Sequence, residues 1–293
     1  MALLIITTIL WAFSFSLIGE YLAGSVDSYF SVLMRVGLAA LVFLPFLRTR
    51  GQSPRTIVLY MLVGAMQLGI MYLLAFRAYL YLTVSEFLLF TVFTPLYITL
   101  IYDLLSGRKL RWGYLLSAAL AVLGAAIIRY DKVSDHFWTG LLLVQLSNLC
   151  FAIGMVGYKR LMEVRPMPQH NAFAWFYVGA FIVAVAAWFM LGNPQKLPTT
   201  TLQWSVLVWL GVVASGLGYF MWNYGATQVD AGTLGIMNNV HVPAGLLVNL
   251  AIWQEQPHWP SFISGALVIL ASLWVHRRWV APHSGQTADD RRR

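Results

Sequence analysis

Long apolar runs separated by short polar segments cover most of this chain. Each run is close to the roughly 20 residues that an α-helix needs to cross the hydrocarbon core of a bilayer. The runs are continuous, whereas a membrane β-strand would alternate apolar and polar residues over about ten positions. The pattern therefore predicts ten membrane-spanning helices, at residues 2–19, 28–47, 57–81, 85–105, 112–129, 138–160, 171–191, 203–225, 232–253 and 260–276.

The composition agrees with a membrane protein. Hydrophobic residues make up 59% of the 293 residues and charged residues only 10%, and the mean hydropathy is +0.71. A soluble domain carries roughly a quarter of its residues as charged side chains to keep its surface in water. The loops are too short for a soluble domain, so we expect an all-α multi-pass membrane protein, surrounded by lipid, that is not an enzyme.

The basic residues predict the orientation of the chain. With a cytoplasmic N-terminus, fourteen lysines and arginines fall on the cytoplasmic side and three on the periplasmic side, which is the positive-inside pattern. The cytoplasmic set is Arg48, Arg50, Arg55, Arg108, Lys109, Arg111, Lys159, Arg160, Arg165, Arg277, Arg278, Arg291, Arg292 and Arg293, and the periplasmic set is Arg129, Lys132 and Lys196. This topology accounts for the net charge of +8 without a nucleic-acid partner, and it places both termini in the cytoplasm. The tail at 280–293 lacks apolar periodicity, which predicts disorder.

The two halves of the chain resemble each other. Residues 76–96 align without gaps on residues 224–244, so that Pro95 falls on Pro243 and a helix, a short turn and a second helix recur in both. The predicted units are residues 1–130 and 138–279, with five helices each. Because five is an odd number, the second unit must cross the membrane in the opposite sense. Such inverted repeats are typical of secondary transporters, whose substrate site lies between the halves near the membrane midplane.

Three sequence features resemble the drug/metabolite transporter superfamily of the EamA type. They are the aromatic first helix with its segment ILWAFSFS, the segment LMRVGLAALVFLPF that contains Arg35, and the paired segments that end in Pro95 and Pro243. Two segments, RAYLYLTVSEFLLFTVFTPLYITLIYD and GYFMWNYGATQVDAGTLGIMNN, resemble more specifically the inner-membrane biotin carriers of enteric bacteria within this superfamily. The resemblance implies a bacterial inner-membrane carrier that takes up a small anionic vitamin, biotin. An amino-acid or metabolite exporter of the same superfamily, and a membrane sensor without transport, remain alternatives.

Ionisable side chains inside membrane spans are candidates for function, because burying one costs at least about 2.5 kcal/mol. Arg35, Arg77 and Glu86 all fall in the periplasmic half of their predicted spans. Arg35 or Arg77 could pair with the carboxylate of an anionic substrate. Arg35 could equally bond helix-end carbonyl groups. Arg77 could form an ion pair or a gate with Glu86, or extend its side chain to the membrane interface.

Amide and aromatic side chains complete the candidate substrate site. In the ninth span, Asn238, Asn239 and His241 precede Pro243, and a side-chain amide offers the donor and acceptor that complement a cyclic urea. Hydrogen bonding between helices is the alternative role for these residues. Aromatic rings could enclose the bicycle of a biotin-like ligand, although such rings also form ordinary cores. The further candidates are Trp11, Tyr72, Phe76, Asn148, Tyr158, Tyr219, Trp222 and Asn223.

Motifs for other chemistry are missing from the sequence. It contains no phosphate-binding loop, no Cys/His spacing for a metal and no nucleophile constellation. We therefore expect no cofactor, no metal and no ATPase partner.

Overall fold

The computed structural model of the protein describes residues 2–105, 135–229 and 231–254, with scattered positions between 116 and 127 and between 259 and 278. Most of the predicted fifth and tenth spans, at 112–129 and 260–276, and the tail at 280–293 lie outside the described residues. The side chains of Asp103, Asp135, residues 231–236, Asn239, His241 and Val242 also lie outside them.

All regular elements in the described part of the chain are helical. The α-helices are α1 (Ala2–Tyr21), α2 (Ser28–Phe43), α3 (Pro54–Gly64), α4 (Met71–Ala78), α5 (Val84–Thr91), α6 (Thr94–Leu105), α7 (Asp135–Val164), α8 (Gln169–Leu191), α9 (Thr201–Trp209), α10 (Gly218–Thr227) and α11 (Ala231–Val248). A short 3₁₀ turn at Leu44–Phe46 extends α2. Two π-helical segments join α3 to α4 at Ala65–Ile70 and α9 to α10 at Leu210–Leu217, and a third, Asn249–Trp253, follows α11.

Within the described residues, seven helical stretches are long and apolar enough to cross a membrane. They confirm the first to fourth and the sixth to eighth predicted spans, with ends that differ by a few residues. The stretches are Ala2–Tyr21, Ser28–Phe46, Pro54–Ala78, Val84–Tyr102, His136–Val164, Gln169–Leu191 and Thr201–Thr227. The region of the ninth span is helical from Ala231 to Trp253. The chain is therefore an all-helical, multi-pass membrane protein.

Side chains just before the helices explain where several of them begin. The carboxylate of Asp27 accepts a hydrogen bond from the Phe30 amide at 2.8 Å and so caps α2. At the start of α5, Thr83 and Glu86 form a reciprocal capping box, and Thr200 and Gln203 form another at the start of α9. Such caps satisfy amide groups that have no partner within the helix.

Pro95 breaks the fourth span between α5 and α6. Proline has no amide hydrogen, so the helical hydrogen bond to the carbonyl four residues earlier, that of Thr91, cannot form. The Thr94 hydroxyl donates to this carbonyl instead, at 2.7 Å. The adjacent carbonyl of Phe90 accepts from Asn148 on α7 at 2.9 Å. Pro243, the equivalent residue in the second half, lies inside the continuous helix α11.

The core forms mainly between the two halves of the chain. Helices α2 and α3 contact α8, α4 and α6 contact α7, and α1 contacts α10 and α11. Helices α3 and α8 approach each other closely, because glycines face the opposite backbone. A Cβ atom on Gly64 would lie 1.8 Å from the Phe176 carbonyl oxygen, and one on Gly179 would lie 1.9 Å from that of Met61. Small residues at helix crossings allow this approach and increase van der Waals contact.

This crossing predicts that Gly179→Ala is strongly destabilising, because the added methyl group meets a backbone oxygen that cannot rotate away. Overpacking of this kind costs about 1–3 kcal/mol or more, so the detergent-solubilised variant should melt well below the wild type. Gly157→Ala is the matched control, since its Cβ would meet only one methyl group of the Val63 side chain, at 3.2 Å, and no backbone atom. Equal melting temperatures for the two variants would show that the α3–α8 crossing is looser than described.

Candidate functional site

A cavity of about 80 Å³ lies between the two halves of the chain. Helices α1, α2, α4, α5 and α6 line it from the first half, and α7, α10 and α11 line it from the second. The lining residues are Trp11, Ser14, Phe15, Ile18, Arg35, Met71, Tyr72, Ala75, Phe76, Tyr79, Phe87, Thr91, Thr94, Ser147, Asn148, Phe151, Tyr219 and Asn238. The wall is thus mostly aromatic and aliphatic with a few polar groups, which is the usual make-up of a small-molecule site.

Arg35 provides the positive charge of this cavity. Its side chain is only 3% exposed, and its Nε donates to the Ser215 hydroxyl at 2.5 Å. The guanidinium carbon lies 4.2 Å from the centre of the Tyr72 ring and 6.0 Å from that of Phe76, so cation–π attraction offsets part of the desolvation. The terminal nitrogens form no hydrogen bond or ion pair within the described part of the chain. They remain available to an anion in the cavity.

Ser215 holds Arg35 in position and is itself held by tyrosines. The Tyr72 hydroxyl lies 2.9 Å from the Ser215 hydroxyl, and the Tyr177 hydroxyl donates to the Ser215 carbonyl at 2.7 Å. Ser215 belongs to the second π-helical segment. A π-helical segment disturbs the regular hydrogen bonds of an α-helix, and here several of its carbonyls accept from neighbouring side chains.

Trp11 forms one aromatic wall of the cavity. Its indole Nε1 donates to the Ala214 carbonyl, also in the second π-helical segment, at 2.9 Å. The indole lies 4.6 Å from the Tyr219 ring and 5.0 Å from the Trp222 ring, measured between centroids. These contacts fix a rigid apolar surface against which a ring system can bind.

Two asparagines bring amide groups to the cavity, and their surroundings differ. The Asn148 amide nitrogen donates to the Phe90 carbonyl that the Pro95 break leaves free, so this residue also stabilises the fourth span. Asn238 is 1% exposed, and its Nδ2 has no hydrogen-bond partner among the described residues. A buried amide group without a partner is costly, and a ligand in the cavity could supply the missing acceptor.

Trp222 and Asn223 lie behind the cavity wall and do not line it. The Asn223 and Gln67 side-chain amides form two reciprocal hydrogen bonds, each 3.0 Å long. The Trp222 indole nitrogen lies 3.4 Å from the Met155 sulfur. Both candidates are therefore engaged in contacts between helices. Such contacts were the alternative to substrate binding for amide and aromatic side chains in the spans.

Tyr158 lies outside the cavity lining as well. Its ring packs at 5.1 Å from Phe173 and 5.9 Å from Tyr60, and its hydroxyl donates to the Gln169 side-chain oxygen at 2.5 Å. The described contacts of Tyr158 are thus those of a core residue between α7, α8 and α3.

Arg77 and Glu86, the candidates for a gate or an ion pair, contact different groups. The Arg77 guanidinium carbon lies 5.8 Å from the centre of the Tyr29 ring. Glu86 accepts from the Thr83 amide at 2.9 Å and completes the cap of α5. These described contacts do not join the two residues. The side chains of Asn239 and His241 lie outside the described residues, so their predicted role in binding stays a prediction.

The cavity also contains residues that the sequence did not single out for binding. Thr91 and Thr94 reach it because Pro95 breaks the helix beside them, and a threonine next to a proline in a membrane span was a usable signal. Tyr79 carried no such signal, because its place at the cavity depends on the packing of its ring against Phe87 on α5. Ser215 does not line the cavity, but it holds Arg35 from the other half of the chain, a contact that no local pattern records.

Comparisons with known proteins show which transporters this chain is similar to. The model of the EamA-like transporter family matches residues 1–130 and residues 138–277. The biotin transporter of Escherichia coli (strain K12) is 84% identical over 293 residues, which cover 100% of this chain and 98% of that protein. The probable biotin transporter of Pseudomonas aeruginosa is 56% identical over 279 residues, which cover 94% of this chain and 97% of that protein.

A solved crystal structure with 17% sequence identity superposes with a TM-score of 0.65 over 94% of this chain and 95% of that chain, which shows a shared fold. The family model covers nearly the whole chain and confirms the resemblance that the sequence motifs indicated. Because the family model matches both units and a full-length relative is 84% identical, the chain belongs to the EamA-like transporter family.

Proposed function

We propose that this chain is a carrier of the bacterial inner membrane that imports biotin by alternating access. The observation that carries the proposal is Arg35, a buried cation that lines a mostly apolar cavity and whose terminal nitrogens have no described acidic partner. The two similar proteins named above as a biotin transporter and a probable biotin transporter support biotin as the substrate.

The chemistry of biotin fits the distribution of groups in the cavity. Its carboxylate can accept charge-assisted hydrogen bonds from the free nitrogens of Arg35. The apolar bicycle and alkyl chain can pack against Trp11, Tyr219 and Phe76, which line the wall. The carbonyl of the cyclic urea can accept from the unpartnered Nδ2 of Asn238.

We further propose ten helices in two inverted repeats, 1–130 and 138–279, with both termini and the tail at 280–293 in the cytoplasm. Contacts at the two ends of the bundle support this alternation of cytoplasmic and periplasmic loops. The loop at Arg48 bonds to Asn171 and Trp175, and this end of the bundle carries Arg48, Arg50, Arg55, Lys159, Arg160 and Arg165. At the opposite end, the Asp27 amide donates to the Lys196 carbonyl at 2.8 Å. The gathering of cations at one end is what the positive-inside pattern requires.

The halves also repeat in local structure. The π-helical segments at Ala65–Ile70 and Leu210–Leu217 occupy similar places in the third and eighth spans, about one repeat length apart, and the family model matches both units. Between the cavity and the basic end, the Gln67–Asn223 amide pair joins these two spans. In the proposed cycle this contact between the halves separates while the cavity opens to the cytoplasm.

The first prediction concerns growth and charge. The wild-type gene should restore growth of a biotin auxotroph without its own carrier at limiting biotin, and Arg35→Gln should not. Loss of one partner of a buried charge pair costs about 2–5 kcal/mol, so the half-saturating biotin concentration should rise roughly 30-fold or more. Uptake of an uncharged biotin amide, if it is carried, should change much less.

Arg160→Gln is the control for removing a positive charge, because Arg160 is exposed and pairs with Glu163 at the basic end. An equal loss of biotin and biotin amide uptake in Arg35→Gln, at matched abundance in the membrane, would assign Arg35 a structural role. Absence of growth rescue by the wild type would favour the exporter or the sensor over a biotin importer.

The second prediction separates recognition from helix contact at Asn238. Because its Nδ2 has no partner among the described residues, Asn238→Ala should leave the melting temperature without ligand nearly unchanged. Loss of a hydrogen bond to a neutral ligand group costs about 0.5–1.5 kcal/mol, so the half-saturating biotin concentration should rise two- to about tenfold.

The comparison variant is Asn223→Ala, which breaks the bonded pair with Gln67 and should lower the melting temperature. If Asn238→Ala melts early and binds biotin as the wild type does, Asn238 is a structural residue and does not recognise the substrate.

The third prediction is topological. Alkaline phosphatase, which is active in the periplasm, should be active when fused after Asp27, Asp135 or Lys196. Green fluorescent protein should fluoresce when fused after Arg55, Arg165 or Arg278. If the reporter at any of these six positions showed the opposite side of the membrane, the proposed inverted repeat of residues 1–130 and 138–279 would be excluded.

A further inference from the structure

Tyr79 lies at the edge of the cavity, one residue beyond the end of α4. Its side chain is 6% exposed, and its ring stacks on Phe87 with centroids 4.3 Å apart and an angle of 16° between the planes. The hydroxyl is buried and has no hydrogen-bond partner among the described residues. The stacked ring therefore holds an unused donor at the wall of the cavity.

Other tyrosines near Arg35 use their hydroxyls differently. The Tyr72 hydroxyl bonds to the Ser215 hydroxyl and the Tyr177 hydroxyl to the Ser215 carbonyl, so both help to position Arg35. Burying a hydroxyl without a partner costs free energy, because its bonds to water are lost and not replaced. A position that bears this cost beside a binding cavity is one at which a ligand can complete the bond.

Tyr79 and Arg35 also lie toward the same end of the cavity. Tyr79 begins the turn after α4, and Arg35 is seven residues from the start of α2 at Ser28, so both are near the end of the bundle that contains Asp27. Asn148 lies in the middle of α7. Asn238 lies eleven residues before Asn249, whose side chain bonds to Ser85 at the start of α5, so it is farther from the end that contains Tyr79. The cavity thus has a cationic end and an amide end.

We propose that the Tyr79 hydroxyl is a second donor to the substrate carboxylate, beside Arg35, and that the two together select an anionic ligand. This inference rests on the proposed function. An ionised carboxylate has two oxygens that accept about four hydrogen bonds, so one oxygen can bind the Arg35 nitrogens while the other accepts from Tyr79. Stacking on Phe87 keeps the phenol in place, so little side-chain freedom is lost when the ligand binds.

The experiment uses Tyr79→Phe, which removes one oxygen atom and keeps the stacked ring. Uptake of biotin and of uncharged biotin amide is measured over a range of concentrations, and melting is recorded on the purified full-length carrier with and without biotin. The half-saturating biotin concentration should rise about tenfold, because the lost bond has a charged acceptor. The value for the amide should rise much less, because its carbonyl oxygen is a neutral acceptor, and the melting temperature without ligand should not fall.

Tyr60→Phe is the matched control. Tyr60 is also buried, but its hydroxyl donates to the Arg165 carbonyl at 3.1 Å, far from the cavity. This variant should melt at a lower temperature and keep the wild-type half-saturating biotin concentration. The ratio of the values for biotin and the amide comes from one preparation of each variant, so poor expression does not obscure the result.

Two results would overturn the role of Tyr79. Unchanged biotin uptake with a raised melting temperature would mean that the hydroxyl is only an unsatisfied group. An equal loss of biotin and amide uptake would mean that Tyr79 acts through the shape of the cavity. Failure of the proposed function is visible separately, because the wild type itself would then neither take up biotin nor melt later in its presence, and the inference would fall with it.

Discussion

The buried charge of Arg35 is the constraint around which the rest of the cavity is arranged. An arginine inside a membrane protein is costly unless the surrounding helices supply electrostatic partners. Here Ser215 accepts from its Nε, and Tyr72 and Phe76 offer the faces of their rings. These groups come from helices in both halves of the chain, so the position of the charge depends on how the halves meet. Because the described partners are neutral, the positive charge is available to an anionic substrate.

Most polar side chains in the described spans serve the backbone. Lipid offers no hydrogen bonds, so any carbonyl or amide released by a helix irregularity must find a partner within the protein. The Pro95 break is satisfied by Thr94 and Asn148, and carbonyls of the second π-helical segment are satisfied by Trp11 and Tyr177. The irregular segments and the cavity therefore occur together: the same side chains that repair the backbone also line or support the binding space.

Close contact between the halves depends on small residues. Gly64 and Gly179 allow the backbones of α3 and α8 to touch, which strengthens van der Waals attraction where no hydrophobic effect drives the helices together. The buried rings of Tyr60, Tyr158 and Phe176 pack beside the same crossing, so the close approach of the backbones also brings aromatic side chains of both halves together.

The sequence by itself determined the membrane class, seven of the predicted spans and the family, because apolar run length and motifs are local properties of the chain. It also indicated seven residues that line the cavity, since charged and amide side chains stand out within apolar runs and aromatic rings suit a bicyclic ligand. These residues are Arg35, Trp11, Tyr72, Phe76, Asn148, Tyr219 and Asn238. It could not separate these from Tyr158, Trp222 and Asn223, which have the same side-chain chemistry. Only the tertiary structure decided between them, because Gln67 engages Asn223 and Gln169 engages Tyr158 across helix contacts. Whether a polar group is satisfied by another helix or left free for a ligand depends on neighbours that are distant in the chain, and no local pattern records them.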